Sequence, residues 1–174
     1  MSEQSTWVFG YGSLIYKVDF PFQESAVGRI HGWQRRFWQG SHDHRGTPDA
    51  PGRVVTLVEE PGASCIGVAY RVTHAVFEHL DHREKNGYER VEVDIHLRDC
   101  GSTVAGLMYH AAEDNPAFLG PASLEELAAH IGSSHGPSGS NRDYLLYLAE
   151  ALRELGDQDE HVFALEALLT TSPP

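Results

Sequence analysis

Apolar positions in this chain follow two different periods. The first two-thirds reads as short apolar runs, several of them alternating with polar residues, and the last third repeats at helical spacing. A period of two marks a strand with one buried face, and steps of three and four mark an amphipathic helix. Trp7-Val8-Phe9 forms a short strand that runs into the glycine-flanked turn Gly10-Tyr11-Gly12-Ser13. Further strands are predicted over residues 26–30, 35–38, 53–58, 65–72, 90–97 and 103–109, with Val91, Val93, Ile95 and Leu97 on one buried face. Gly, Pro, Asp and Ser clusters separate them; the longest, 40–52, exceeds a tight hairpin and is a candidate functional loop.

Between two of these strands, residues 73–82 read as a helix with Val76, Phe77 and Leu80 on one face. Ser123-Leu-Glu-Glu126 has the form of a capping box and should start another. After a turn at 136–140, residues 141–155 place Leu145, Leu148, Leu152 and Leu155 at helical spacing, and Gly156 is a natural C-cap. A last helix over about 160–169 carries Val162, Leu165 and Leu169. Strands followed by helices predict an α+β fold. With no repeat, linker or low-complexity tract, the expectation is a single domain over 1–174, with its core in 7–169.

Charge narrows the function classes. Thirteen Lys and Arg stand against 25 Asp and Glu, a net −12, and nucleic acid or an anionic membrane both call for a basic face. Eleven of the thirteen cations are arginine, which suits an anionic small molecule and equally suits a biased codon usage. Two cysteines, Cys65 and Cys100, make no disulfide framework and fit a reducing compartment. The opening residues show no targeting pattern and no stretch has the length of a membrane span, so the expected location is cytoplasmic.

Two segments stand out as candidate chemistry. The turn Tyr11 to Tyr16 follows a buried strand, and successive N–H groups at a glycine bend can form an anion-binding nest, or simply end the strand. The second is Leu80-Asp-His-Arg-Glu84-Lys-Asn-Gly-Tyr88, where five ionisable side chains crowd a predicted helix end. A part-buried carboxylate there has the raised pKa a general base needs; a solvated charged turn is the alternative. The histidine clusters His42 with His44 and His79 with His82 match no metal-ligand spacing, and no C-x-x-C occurs, so no metal site is expected. No G-x-S-x-G elbow activates a serine, and Gly10-Tyr-Gly12 lacks the rest of a dinucleotide fingerprint.

Together the motifs resemble the ChaC family of glutathione-specific γ-glutamylcyclotransferases, in its shorter, ChaC2-like branch. They run in order: Trp7-Val-Phe-Gly-Tyr-Gly-Ser-Leu-Ile15, Arg36-Phe-Trp-Gln-Gly40, Asp43-His-Arg-Gly46, Pro51-Gly-Arg-Val-Val-Thr-Leu-Val58, Gly67-Val-Ala-Tyr70 and Leu80-Asp-x-Arg-Glu-Lys-x-Gly-Tyr88. Asn115-Pro, Leu119-Gly-Pro121, Gly136-Pro-Ser-Gly139, Tyr144-Leu and His161-x-Phe-Ala-Leu-Glu166 complete the set. His82 and Asn86 fall at variable positions. The resemblance implies a small mixed β-barrel with flanking helices and a cofactor-free enzyme. It implies cleavage of glutathione, the small-molecule partner, to 5-oxoproline and Cys-Gly, by a protein that is a monomer or a homodimer.

By the same resemblance, Tyr11, Gly12, Ser13, Leu14, Ile15 and Tyr16 cradle the γ-glutamyl group. The catalytic glutamate falls on Glu84, and Tyr88 and Tyr144 correspond to pocket tyrosines. Backbone N–H groups of Gly12, Ser13 and Leu14 are candidate donors to an oxyanion or a carboxylate. Among Arg29, Arg35, Arg36, Arg45 and Arg53, the one basic stretch, some should face the substrate. A cyclotransferase for other γ-glutamyl amines and a non-catalytic γ-glutamyl-binding protein are the competing readings.

Overall fold

The computed structural model describes residues 5–42, 44–84, 88–98, 101–111 and 114–171, without the side chains of Arg83, Glu84 and Thr171. Asp43, Cys100 and the segment 85–87, on which some of the expectations fall, lie outside the described residues.

Five strands form a closed barrel in the order β1-β3-β2-β4-β5. They are β1 Ser5–Gly10, β2 Glu24–Ser41, β3 Gly52–Thr73, β4 Tyr88–Leu97 and β5 Thr103–Ala111. β1 runs antiparallel to the end of β3, with Phe9 opposite Ala69, and parallel to β5, with Trp7 opposite Gly106. β4 and β5 form an antiparallel hairpin from Tyr88 opposite Ala111 to His96 opposite Thr103. The mixed barrel and α+β class expected from sequence are observed. Closure leaves the barrel no open edge.

The predicted strands 26–30 and 35–38 are parts of one strand, β2, and 53–58 and 65–72 are parts of β3. The polar interruptions look like turns in the sequence. In the structure Glu59, Glu60, Pro61 and Gly62 are exposed within the continuous strand β3, so that stretch buries no apolar side chain. Gly32 and Gly62, each at φ 86°, take a left-handed conformation that bends the strand without ending it.

Helices form where the periodicity puts them. α1 is His74–Glu84, α2 Leu124–Ser133, α3 Asn141–Leu155 and α4 Glu160–Thr171. Ser123 caps α2, its hydroxyl accepting the Glu126 N–H at 3.1 Å, and Ser140 caps α3 through the Asp143 N–H at 3.0 Å. Gly156 closes α3 in a left-handed conformation. The turn at 136–140 is a minimal hairpin of β6 His135–Gly136 and β7 Gly139–Ser140.

The chain divides into two compact units. The first comprises Met1–Gln34 and Leu57–Ala112; the second comprises Arg35–Thr56 and Glu113–Pro174. In the first, Val8, Phe20, Tyr70, Val72 and Leu80 form a buried cluster, with Leu14, Val18, Val68, Val76, Phe77 and Tyr109 packed against it. In the second, Leu127, Ile131, Leu145, Leu148, Leu152, Val162 and Leu165 bury the facing stripes of the three helices.

Candidate active site

Both segments singled out from sequence lie in the first unit and share its apolar cluster. Leu14 anchors the glycine turn to the cluster, and Val76, Phe77 and Leu80 anchor α1. The turn itself is a short 3-10 helix, Ser13–Ile15, closed by the Ile15 N–H to Gly12 C=O at 3.0 Å and the Tyr16 N–H to Ser13 C=O at 3.1 Å. Among the described residues no side chain caps its start. The amides of Gly12, Ser13 and Leu14 therefore keep their donors at the N-terminal end of the turn.

Two tyrosines clamp this main chain from the barrel. The Tyr70 hydroxyl on β3 donates to the Leu14 C=O at 2.5 Å. Burial pushes the Tyr70 phenol up to about 12, so it stays protonated and stays a donor. Phe20 meets its ring edge-on at 5.6 Å and holds it in place. The Tyr11 hydroxyl donates to the Tyr109 C=O of β5. Gly67 completes the arrangement, because a Cβ at that position would stand 2.3 Å from the Gly10 carbonyl oxygen and 2.8 Å from Phe9. Only glycine lets β3 approach the strand end that launches the turn.

The helix end is tied to the same strands. The Tyr109 hydroxyl donates to Asp81 Oδ1 at 3.1 Å, and Arg90 on β4 reaches the same oxygen at 3.1 Å. Tyr109 thus takes the Tyr11 bond on its carbonyl and grips α1 with its hydroxyl. Glu84 is the last residue of α1, one helical turn beyond buried Leu80. Its side chain lies outside the description. Tyr88 begins β4 opposite Ala111, half-buried.

Sequence reasoning missed the clamps Tyr70, Tyr109 and Asp81. Tyr70 and Asp81 do stand inside recognised motifs, Gly67-Val-Ala-Tyr70 and Leu80-Asp-x-Arg-Glu84, and that was the available signal.

Tyr144 lies in the second unit, on α3. Its hydroxyl accepts the Val55 N–H at 3.2 Å, and its ring stands edge-on to Phe37 at 5.9 Å. Of the five arginines among which some were expected to face substrate, Arg35 and Arg53 are committed to packing in this unit. Arg35, 2% exposed, pairs with Asp159 at 2.6 Å and Asp157 at 3.4 Å in the loop between α3 and α4. Arg53 donates to the carbonyls of Gly120 at 2.8 Å and Phe37 at 3.0 Å and to His130 Nδ1 at 3.2 Å. Burial lowers the Arg53 pKa against the opposing pull of Glu126. Arg36 donates to the carbonyl of Arg35, and Arg29, in the first unit, donates to Ser64 Oγ. Among the described residues no group of three or more His, Cys, Asp or Glu is gathered as a metal site would require. Among them, too, no helix is long and apolar enough to cross a membrane.

A closed mixed barrel, a glycine turn at the end of its first strand and a carboxylate-bearing helix packed on the same cluster define the class as the γ-glutamylcyclotransferase fold. The crystal structure of a glutathione-specific γ-glutamylcyclotransferase from yeast superimposes with a TM-score of 0.86 at 34% identity, over 95% of this chain and 96% of that one. The chain matches the family described as ChaC-like protein over residues 6–172, and it belongs to that family. It is 48% identical to gamma-glutamylcyclotransferase 2-3 of Arabidopsis thaliana, over 90% of this chain and 84% of the relative. It is 46% identical to glutathione-specific gamma-glutamylcyclotransferase 1 of Danio rerio, over 99% and 93%.

Proposed function

We propose that this protein cleaves glutathione to 5-oxoproline and Cys-Gly by closing the γ-glutamyl residue on itself. One observation carries the reading: the family match spans almost the whole chain, and the relatives it aligns with end to end bear this activity in their names. The clamped glycine turn and the helix that ends at Glu84 support it physically.

The reaction joins the substrate's own α-amine to its own γ-carbonyl, forming a five-membered lactam and expelling the Cys-Gly amine. Nucleophile and electrophile sit in one molecule, so the enzyme's task is to hold the attacking conformer, and orientation of this kind can be worth roughly 7–11 kcal/mol. Glu84 removes a proton from the substrate ammonium so that the amine can attack, then returns one to the departing nitrogen. The amides of Gly12, Ser13 and Leu14 donate to the anionic oxygens of the bound γ-glutamyl group, the adjoining Tyr11, Ile15 and Tyr16 shape the cradle, and Tyr88 lines the substrate pocket. The protein works in the cytoplasm, as a monomer or homodimer, without a nucleic-acid or membrane partner.

Incubating purified protein with glutathione and detecting 5-oxoproline by mass spectrometry tests the reading, with γ-glutamyl-alanine assayed beside it. Release of 5-oxoproline from glutathione and not from the dipeptide is expected. Absence of product from glutathione would refute the proposal, and comparable turnover of both would refute its specificity.

A further inference from the structure

A cavity of about 250 Å³ lies in the first unit, at the seam where β2 meets β4. Among the described residues this seam pairs only Gly28 with Leu97 and Arg29 with His96, whereas nine pairs join β4 to β5. One further main-chain bond extends it, from the Arg98 N–H to the Val27 C=O at 2.9 Å. Buried Gly28, Ile66 and Leu97 floor the cavity, and exposed Arg29, His96 and Arg98 rim it. Strand alternation sets the division, because paired residues share a face and their neighbours take the other. No residue of the glycine turn or of α1 lines this cavity.

The rim is basic on a chain whose net charge is −12. Arg29 reaches from β2 to Ser64 Oγ on β3 at 2.8 Å, which commits part of its planar fork and fixes its direction. His31, on the same face of β2, brings its ring to 4.9 Å from that of His96. The His96 Nδ1 pairs with Thr103 Oγ1 at 2.9 Å, leaving Nε2 to a further partner. Asp94 shares the exposed face of β4 with His96, yet among the described residues neither Arg29 nor Arg98 meets a carboxylate. Strand register and the Arg98 main-chain bond hold these groups together, not any attraction between their side chains. Charges of one sign collected by the backbone in this way favour an anion among them.

We propose that the seam between β2 and β4 is a binding site for a phosphoryl dianion, held by Arg29 and Arg98 with His96 as a third donor. A carboxylate presents two oxygens in one plane, enough for one guanidinium. A phosphoryl group presents oxygens in several directions and carries up to two negative charges, which matches forks arriving from separate strands. At about 30 Å³ per water the cavity has room for about eight waters, more than one phosphoryl group fills. Free phosphate and a small phosphomonoester therefore both have the required chemistry. An anion joining Arg29 to Arg98 ties β2 to the end of β4 across the short seam, so the barrel gains stability as ligand concentration rises. The site stands whatever reaction the glycine turn supports.

Inorganic phosphate and phenyl phosphate are titrated separately into the intact wild-type chain at fixed ionic strength, with sodium chloride as the control. The imidazole resonances of His31 and His96 are followed, and thermal melting is measured alongside. Saturable shifts of both rings with a phosphate compound, absent with chloride, are expected together with a melting temperature that climbs with ligand concentration. The compound that binds more tightly names the source of the phosphoryl group. Arg29→Gln and Arg98→Gln should each weaken binding about ten- to a hundredfold, and, because both side chains are exposed, should melt like the wild type when no phosphate is present. Histidine resonances that respond to phosphate no differently from chloride overturn the proposal, as do variants that bind with wild-type affinity. Displacement of bound phosphate by glutathione also overturns it, since the seam would then belong to the substrate.

Discussion

Acidification should destabilise this protein through one imidazole, His161, at the start of α4. Its Nε2 accepts the Phe37 N–H at 3.1 Å, so the ring must carry no proton at that nitrogen. Burial, reinforced by the charge of Arg36, lowers its pKa from 6.5 to about 4; Asp159 pulls the other way and Arg35 adds to the lowering. Between those two values the unfolded chain binds a proton that the folded chain refuses, so stability rises with pH through the interval. The contribution is complete above the unfolded value and is lost as pH falls from 6.5 toward 4. Going from about pH 7 to about pH 5 should cost about 2 kcal/mol from this residue alone. The control is His161→Gln, whose amide oxygen can accept the same N–H and does not titrate. Urea unfolding of both proteins at the two pH values gives the comparison, and the wild type should lose about 2 kcal/mol more than the variant. Equal losses would show that His161 is not held neutral, and the reasoning would fail.

Glu84→Gln keeps the side chain's size and removes its ability to take a proton; 5-oxoproline release should fall by far more than about tenfold with little change in melting temperature. Retention of turnover within that factor would exclude the acid–base role. Tyr70→Phe removes the bond to the Leu14 carbonyl, and should cost about 1–2 kcal/mol of stability and lower kcat/KM about tenfold, measured by unfolding and by steady-state assay. An unchanged kcat/KM would mean the turn keeps its shape without the clamp. Asn141 is fully buried, and its side chain pairs with both the N–H and the C=O of Arg53, at 2.6 and 2.8 Å. Asn141→Ala should therefore destabilise by about 2–4 kcal/mol in urea unfolding, since two buried backbone groups lose their partners.

What the sequence could and could not show follows from range. Helix positions were legible because their signals are local: Ser123 with Glu126 starts α2, and Gly156 ends α3. The glycine turn and the helix bearing Glu84 were legible for the same reason, each being a contiguous run. Strand lengths were not, because an exposed polar stretch within β3 and a true turn have the same composition. Nor were the clamps. Tyr11 meets a carbonyl 98 residues away, and Tyr70 meets one 56 residues back, distances over which periodicity carries no information. The arginines make the same point. Arg35, Arg45 and Arg53 look alike in one basic stretch, and only the fold shows that the first faces two acids, the second lies over the Tyr144 ring and the third faces carbonyls.

An intramolecular cyclisation asks for little reactive chemistry from the protein and much conformational control. That shifts the burden from the acid to whatever fixes the substrate's cradle. Here the fixing acts on main chain: Tyr70 holds the carbonyl of Leu14, and Tyr11 ties the turn to the carbonyl of Tyr109. A cradle of amides depends little on the side chains that happen to project from it. It depends on the hydroxyls that orient the peptide planes, because rotating one plane turns its N–H away from the ligand. Activity should accordingly be governed as strongly by the buried phenols of Tyr70 on β3 and Tyr11 just after β1, which hold main-chain carbonyls, as by the polar residues of the turn. The apolar cluster beneath, shared by Leu14 and Leu80, is what lets the same barrel position both the turn and the helix that ends at Glu84.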